Sequence, residues 1–144
     1  MRIDVDNGRG SAEAFVAADH PLFADHFPGS PLLPGSLMIE LAAQLSGPLA
    51  EEFAQSRMGN ERWALLGMVR DARFLTPVFL PATLNISAEV VRSESSSIST
   101  NVLVEVNGER VMQAQLVMMM IETSTKLAHA IEARNNRLAR WKAS

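Results

Sequence analysis

The spacing of apolar and polar positions divides the chain into one central helix, a run of strands and a closing helix. Ala12-Glu13-Ala14-Phe15-Val16-Ala17 alternates as a short strand does. From His20 to Pro34, prolines at 21, 28, 31 and 34 with Gly29 leave no room for a helix or a regular strand, which predicts an ordered loop. At Ser36 the period becomes helical. Leu37, Leu41 and Leu45 recur at i, i+4 and i+8, joined by Met38, Ala42 and Leu49. The helix is apolar nearly all round, which predicts that it is buried. Gly47-Pro48 predicts a kink or an end, because Pro48 has no N–H for the carbonyl of Gln44. Leu49 to Phe53 would add a further turn or two.

Gly59-Asn60 reads as a turn, followed by strand-like segments at Trp63 to Phe74, Thr83 to Ser93, Ile98 to Val106 and Arg110 to Glu122. Asn107-Gly108 is a strong hairpin signal between the last two, and Ser93 to Ser97 is another turn. In the final strand Met112, Ala114, Leu116, Met118 and Met120 share one face. The opposite face also becomes apolar toward its end, which predicts a central strand or one covered by a partner subunit. Ser124 is placed to cap a last helix, Thr125 to Trp141, with Leu127, Ile131, Leu138 and Trp141 on one face. One buried helix followed by an antiparallel meander gives an α+β domain, with 1–144 as a single unit.

Composition narrows the chemistry. The chain has 144 residues and no cysteine, which excludes disulfides, thiolate nucleophiles and cysteine-held metals. A net charge of −3 does not suggest a nucleic-acid partner. No apolar run approaches the roughly 20 residues that span a bilayer. The N-terminus is polar and unlike a signal peptide, so a cytoplasmic location is expected. Acidic residues collect in the first third, and Lys126, Arg134, Arg137, Arg140 and Lys142 collect at the end. That basic end reads as a solvated helix complementing its dipole, or as a landing patch for an acidic carrier protein.

Two side chains stand out. His26 lies on the stiff loop and Glu40 is the acid of the apolar helix. Histidine titrates near ~6.5, where it serves as a base. The neighbours Met38, Ile39 and Leu41 would hold the Glu40 carboxyl in a proton-donating form. Gly35 stands where backbone N–H groups lack helical partners, and Gln44 lies one turn beyond Glu40, able to orient it. Each has a plainer reading: a loop histidine is usually structural, and clustered methionines are usually core. Ser36 and Ser46 lack a Gly-x-Ser-x-Gly context, and the three histidines are scattered, so neither a serine hydrolase nor a metal site is read here.

The stretch from Pro21 to Gln44 resembles the active-site signature of the beta-hydroxyacyl-(acyl carrier protein) dehydratases. His26-Phe27-Pro28-Gly29, Pro31, Pro34-Gly35, Glu40 and Gln44 match that pattern without a gap. Weaker matches are Arg73-Phe74-Leu75-Thr76-Pro77-Val78 and the hairpin Asn107 to Val111. The resemblance implies a hot-dog fold: an antiparallel sheet wrapped around a central helix, here with a C-terminal helix added. It implies dehydration of 3-hydroxyacyl thioesters by His26 and Glu40, with Gly35 holding the thioester oxygen and Gln44 in support. It also implies no cofactor, a homodimer or larger assembly in which the His of one subunit faces the Glu of the other, and an acyl tunnel. Phe27, Leu41, Phe74, Met118 and Met120 are the candidate tunnel liners.

Asp25 stands where the family usually has Gly, Ser36 where it has an apolar residue, and Leu41 where it has Ala. The usual Pro-Gly-Asp turn is replaced by Leu80-Pro81-Ala82, and the N-terminal segment is short. These departures leave the chemistry possible; the pathway expected is fatty-acid synthesis or, as would suit a shortened variant, a dedicated one making a specialised lipid or polyene. The rival readings are an acyl-thioester hydrolase or an enoyl-CoA hydratase of the same fold, acting on a CoA thioester, and a non-catalytic subunit that binds acyl carriers.

Overall fold

The computed structural model describes residues 1–19, 31–59, 61–122 and 128–143. Its elements are β1 (Arg2–Asp4), β2 (Arg9–Val16), α1 (Gly35–Met58), β3 (Arg62–Phe74), β4 (Ala82–Ser93), β5 (Ser97–Val106), β6 (Glu109–Glu122) and α2 (Ala128–Ala143). The strands form one antiparallel sheet in the order β1-β2-β4-β5-β6-β3. The long strands start and end within a residue or so of the expected positions, because their period-two alternation faces a single core. Leu84, Ile86, Ile98, Val104, Met112 and Leu116 point inward and are almost wholly buried. Asn107 and Gly108 both have positive φ, 53° and 79°, which is the backbone of the tight turn their sequence predicts.

Helix α1 lies across the inner face of this sheet. Ala42, Leu45, Leu49, Ala50 and Ala54 are fully buried, and each leucine so placed contributes about 1.5–3 kcal/mol. The sheet curls closely around it: a Cβ on Gly10 of β2 would stand 3.2 Å from Leu45 Cδ1. One polar pair is sunk in this contact, where Thr100 Oγ1 of β5 donates to Ser46 Oγ at 3.0 Å.

Of the outcomes expected at Gly47-Pro48, an end is not found: the helix continues over Leu49 to Phe53, as the further turns required, and runs for 24 residues to Met58. Gly47 and Pro48 are both buried, so packing on both sides of the proline outweighs the lost backbone bond. The helix closes at Gly59, whose φ is 70° and whose N–H donates to the Gln55 carbonyl at 2.9 Å. The sequence pattern did not reveal β1, which pairs with β2 across a turn at Gly8 (φ 63°). The signal was present in Asn7-Gly8 but was masked by the polar character of Arg2 to Asp6.

β6 lies inside the sheet, between β5 and β3, which accounts for its apolar run. β3 is an edge. Leu65, Leu66, Met68, Val69 and Phe74 are all exposed on it. Its register slips between Leu66 and Met68 and again between Arg70 and Arg73. A Cβ on Gly67 would meet Met119 Cγ at 2.4 Å, so the first slip needs glycine. Among the described residues no helix is long and apolar enough to cross a membrane. The proposed cap Ser124 and the apolar position Leu127 lie outside the described residues.

Candidate active site

The start of α1 is fixed by the segment before it. Leu33 N–H donates to the Val78 carbonyl at 2.9 Å and Leu80 N–H to the Pro31 carbonyl at 3.0 Å. Leu32 and Phe79 form an isolated bridge between these bonds. Leu33, Val78 and Leu80 are buried beneath the bridge. Pro34 is the N-cap, with φ −62° and ψ 139°, and no side chain caps the helix. The N–H groups of Leu37 and Met38 both reach the Pro34 carbonyl. Gly35 stands ahead of them at the first helical position, where an N–H has no acceptor within the helix. It lies against the Phe74 ring: a Cβ there would come within 2.7–2.8 Å of two ring atoms, so glycine alone fits.

The segment from Phe74 to Leu80 therefore braces the helix start. It is tied in turn to the β5–β6 hairpin, by Leu75 N–H to the Val111 carbonyl at 2.9 Å. Thr76 Oγ1 also donates to Glu109 Oε1 at 3.3 Å. The described part of the first resembling stretch, from Pro31 on, thus meets the other two, 73–78 and 107–111, at one end of the fold.

Five residues further along α1, Glu40 is exposed in the single chain and accepts a hydrogen bond from Gln44 Nε2 at 3.2 Å. The pairing with Gln44 is the one its spacing suggests. The exposure differs from the buried setting expected from Met38, Ile39 and Leu41. Met38 turns into the core, and Ile39 and Leu41 are only half-buried, so the apolar neighbours do not enclose the carboxyl.

Glu40 opens onto a groove of about 440 Å³. Ala43, Gln44, Gly47 and Pro48 line it from α1, at the i+3, i+4, i+7 and i+8 positions that put them on one helix face with Glu40. Trp63 to Leu66 of β3 and Met118 of β6 form the opposite wall, and Arg134, Arg137 and Leu138 of α2 cover it. Ligand sites are typically concave, of about 300–1,000 Å³, and mostly apolar with few polar groups. A larger, open depression of about 910 Å³ crosses the other face of the sheet. It holds mixed charge, including Arg9, Asp71, Arg73 and Glu89, and none of the candidate residues. The groove beside Glu40 is therefore the better placed site.

The sequence of this fold matches a known domain. The model of the FabA-like domain covers residues 2–115. The chain belongs to the FabA-like family. A FabA-like relative, the 3-hydroxyacyl-(acyl-carrier-protein) dehydratase FabZ of Mannheimia succiniciproducens, is 33% identical over 80% of this chain and 76% of its own length. The enzyme of the same name from Myxococcus xanthus is 31% identical over 80% of this chain and 74% of its own. Among solved structures, the dehydratase heterocomplex ApeI:P from Xenorhabdus doucetiae superposes with a TM-score of 0.66 at 17% identity, covering 91% of this chain and 85% of that one. A hypothetical thioesterase protein with coenzyme A from Streptococcus pneumoniae gives a TM-score of 0.63 at 16% identity, covering 83% of each chain. These structural likenesses confirm the hot-dog fold and, at such identity, nothing finer.

The FabA-like match includes every stretch quoted above for the resemblance. Of the residues singled out there, Glu40, Gln44 and Met118 share the groove. Gly35 and Phe74 meet at the helix start. Leu41 is half-buried on α1 and Met120 is buried in the core. His26 and Phe27 lie outside the described residues. Sequence reasoning missed Trp63 and the three α2 residues as groove walls. The stripe from Glu40 to Pro48 was legible as helical spacing, but the arrival of α2 over it was not.

Proposed function

We propose that this chain converts (3R)-hydroxyacyl thioesters on an acyl carrier protein to trans-2-enoyl thioesters. It would do so as a homodimer in the cytoplasm, within a pathway for a fatty acid or a specialised lipid. The observation that carries this reading is the Glu40 carboxyl, held by Gln44 at 3.2 Å at the opening of a largely apolar groove in a FabA-like chain. FabZ relatives named for this reaction match most of the chain and support the assignment.

The chemistry divides among named groups. His26 takes the proton from C2 of the substrate, and Glu40 gives a proton to the 3-hydroxyl. The C3–O bond breaks, water leaves, and the C2–C3 double bond forms. The thioester oxygen, as it gains charge, accepts from the Gly35 N–H at the helix start. Each acid or base is worth about 10²–10⁴ in rate, and one well-aimed donor about 10²–10³.

A single chain leaves Glu40 facing solvent, whereas a closed site would exclude water from the reaction. The β3 edge suggests how this is remedied. It presents unpaired backbone groups together with Leu65, Leu66, Met68 and Val69, a surface suited to pairing with the same strand of a second chain. Such a dimer would cover the groove, in keeping with the family resemblance, which implies that the His of one subunit faces the Glu of the other. Arg137 and Arg140 of α2 are exposed close by and offer positive charge to an acidic carrier.

The test is turnover of a (3R)-hydroxyacyl thioester on a carrier protein, followed by mass spectrometry. Wild type is expected to lose one water, and His26→Ala and Glu40→Gln are each expected to slow this by about 10²-fold or more. Release of free acid instead would assign a thioesterase. Absence of any product, with carrier still bound, would assign a binding subunit.

A further inference from the structure

The groove is completed by an element that the family likeness does not reach. The FabA-like match ends at residue 115, whereas α2 spans Ala128–Ala143. Among the described side chains, Arg134 anchors α2 to α1. Arg134 donates to both carboxylate oxygens of Glu51 on α1, with Nη1 at 2.7 Å from Oε2 and Nη2 at 2.5 Å from Oε1. Both side chains are largely buried, at 22% and 14% exposure, and the guanidinium lies 5.4 Å from the centre of the Trp63 ring. A bidentate, stacked arginine of this kind fixes position as well as contributing energy. The other two α2 residues of the groove, Arg137 and Leu138, follow Arg134 at i+3 and i+4 and so share its face.

The anchor also sits at a telling place on α1. Glu40, Ala43, Gln44, Gly47, Pro48 and Glu51 form one continuous stripe of the helix. The stripe begins with the acid and ends with the carboxylate that Arg134 holds. Between them it is flat: at Gly47 even an added Cβ would find only Met118 Cε, at 3.9 Å. From Glu40 to Pro48 the helix rises about 12 Å. An extended chain of roughly ten carbons covers that distance, given a C–C bond of about 1.5 Å.

We propose that α2 is the acyl-specificity element of this site. Leu138 walls the tail of the acyl chain, and the Arg134–Glu51–Trp63 cluster stops the far end of the groove. The chain would thereby favour medium-length acyl groups. Leu138 is then a specificity-determining residue and Arg134 a positioning residue that acts through it. The inference rests on the reading of the groove as the acyl site.

The experiment compares kcat/KM over a series of (3R)-hydroxyacyl thioesters from four to sixteen carbons, on the full chain. Leu138→Trp, Leu138→Ala, Arg134→Gln and Arg134→Lys are run beside wild type, with melting temperatures for each. In parallel, saturated acyl-pantetheine thioethers of the same lengths are titrated against the protein by calorimetry. Leu138→Trp is expected to lower the long-to-short ratio of kcat/KM at least ten-fold, and Leu138→Ala and Arg134→Gln to raise it. Arg134→Lys should restore part of the wild-type ratio. A purely structural role would lower all lengths by one factor, and that result, or unchanged ratios in both Leu138 variants, overturns the proposal. If wild type turns over nothing but binds the thioethers with a length preference that the Leu138 variants shift, the dehydratase reading falls and the role of α2 stands. If wild type neither turns over a thioester nor binds a thioether, both fall.

Discussion

The buried pair Ser46–Thr100 offers a direct measure of how firmly α1 is held against the sheet. Both residues are fully buried, and the hydroxyls are 3.0 Å apart. Thr100→Val keeps the shape of the side chain and removes the donor. Ser46 is left with its own proton, which can turn back to a carbonyl one turn earlier in its helix. Ser46→Ala instead leaves a buried threonine hydroxyl with its acceptor gone. An unsatisfied buried polar group costs about 1–3 kcal/mol, whereas removing both partners is close to neutral. Thr100→Val is therefore expected near the low end of that range and Ser46→Ala near the high end. The double variant should lie within about 1 kcal/mol of wild type, giving a coupling energy of about 3 kcal/mol. Urea unfolding monitored by tryptophan fluorescence and by circular dichroism gives these values, provided that protein concentration is fixed, because association adds to apparent stability. In melting temperature the singles correspond to shifts of roughly 3 °C per kcal/mol for a chain of this size. Simple additivity of the two single changes would refute the reasoning. So would a Thr100→Val protein as stable as wild type.

Other perturbations test separate parts of the fold. Gly35→Ala places a Cβ within 2.7–2.8 Å of the Phe74 ring. It is expected to destabilise by about 1–3 kcal/mol, and Phe74→Leu in the same background should recover part of the loss, as read by thermal melts. Lysines at Met68 and Val69 charge both faces of the β3 edge, and the pair is expected to shift the proposed dimer to monomer in sedimentation velocity. A dimer unchanged by both would place the subunit contact elsewhere. The Asp4 carboxyl is held below the ordinary carboxylate range, first by the Asn7 side chain and then by the Asn7 backbone N–H. Asn7→Ala should raise it toward the ordinary value in an NMR titration. Because the folded pKa is the lower one, this pair stabilises the β1–β2 turn above the ordinary carboxylate range. That stabilisation is lost as pH falls through the depressed value, and the Asn7→Ala protein should lose less on acidification.

Much of the fold was legible because its strands obey a period of two against one core. The span of β6 and the turn at Asn107-Gly108 follow from local pattern alone. The choice at Pro48 between an end and an unbroken helix did not, since it depends on side chains arriving from the sheet, among them Met118. The site divides in the same way. Glu40 and Gln44 pair because they are one turn apart on a single helix. Arg134 and Glu51 pair across 83 positions of sequence, and nothing in the local pattern of either announces the other.

Glu40 itself carries the sharper lesson. Its apolar neighbours made burial the natural expectation, because an acid on a helix that is apolar all round has no obvious route to water. In the single chain it has one. A helix is apolar on every side when every side is covered, and here the side bearing Glu40 faces a groove closed only in part by α2. The adjacent edge strand carries the same mismatch, with large apolar side chains in solvent. The exposed acid on α1 and the exposed apolar side chains of β3 border one groove, where Leu65 and Leu66 line it with Glu40. A second chain paired along β3 would cover both at once. The sequence pattern is therefore the one the proposed dimer calls for, in which the exposed Glu40 would be half of a shared site.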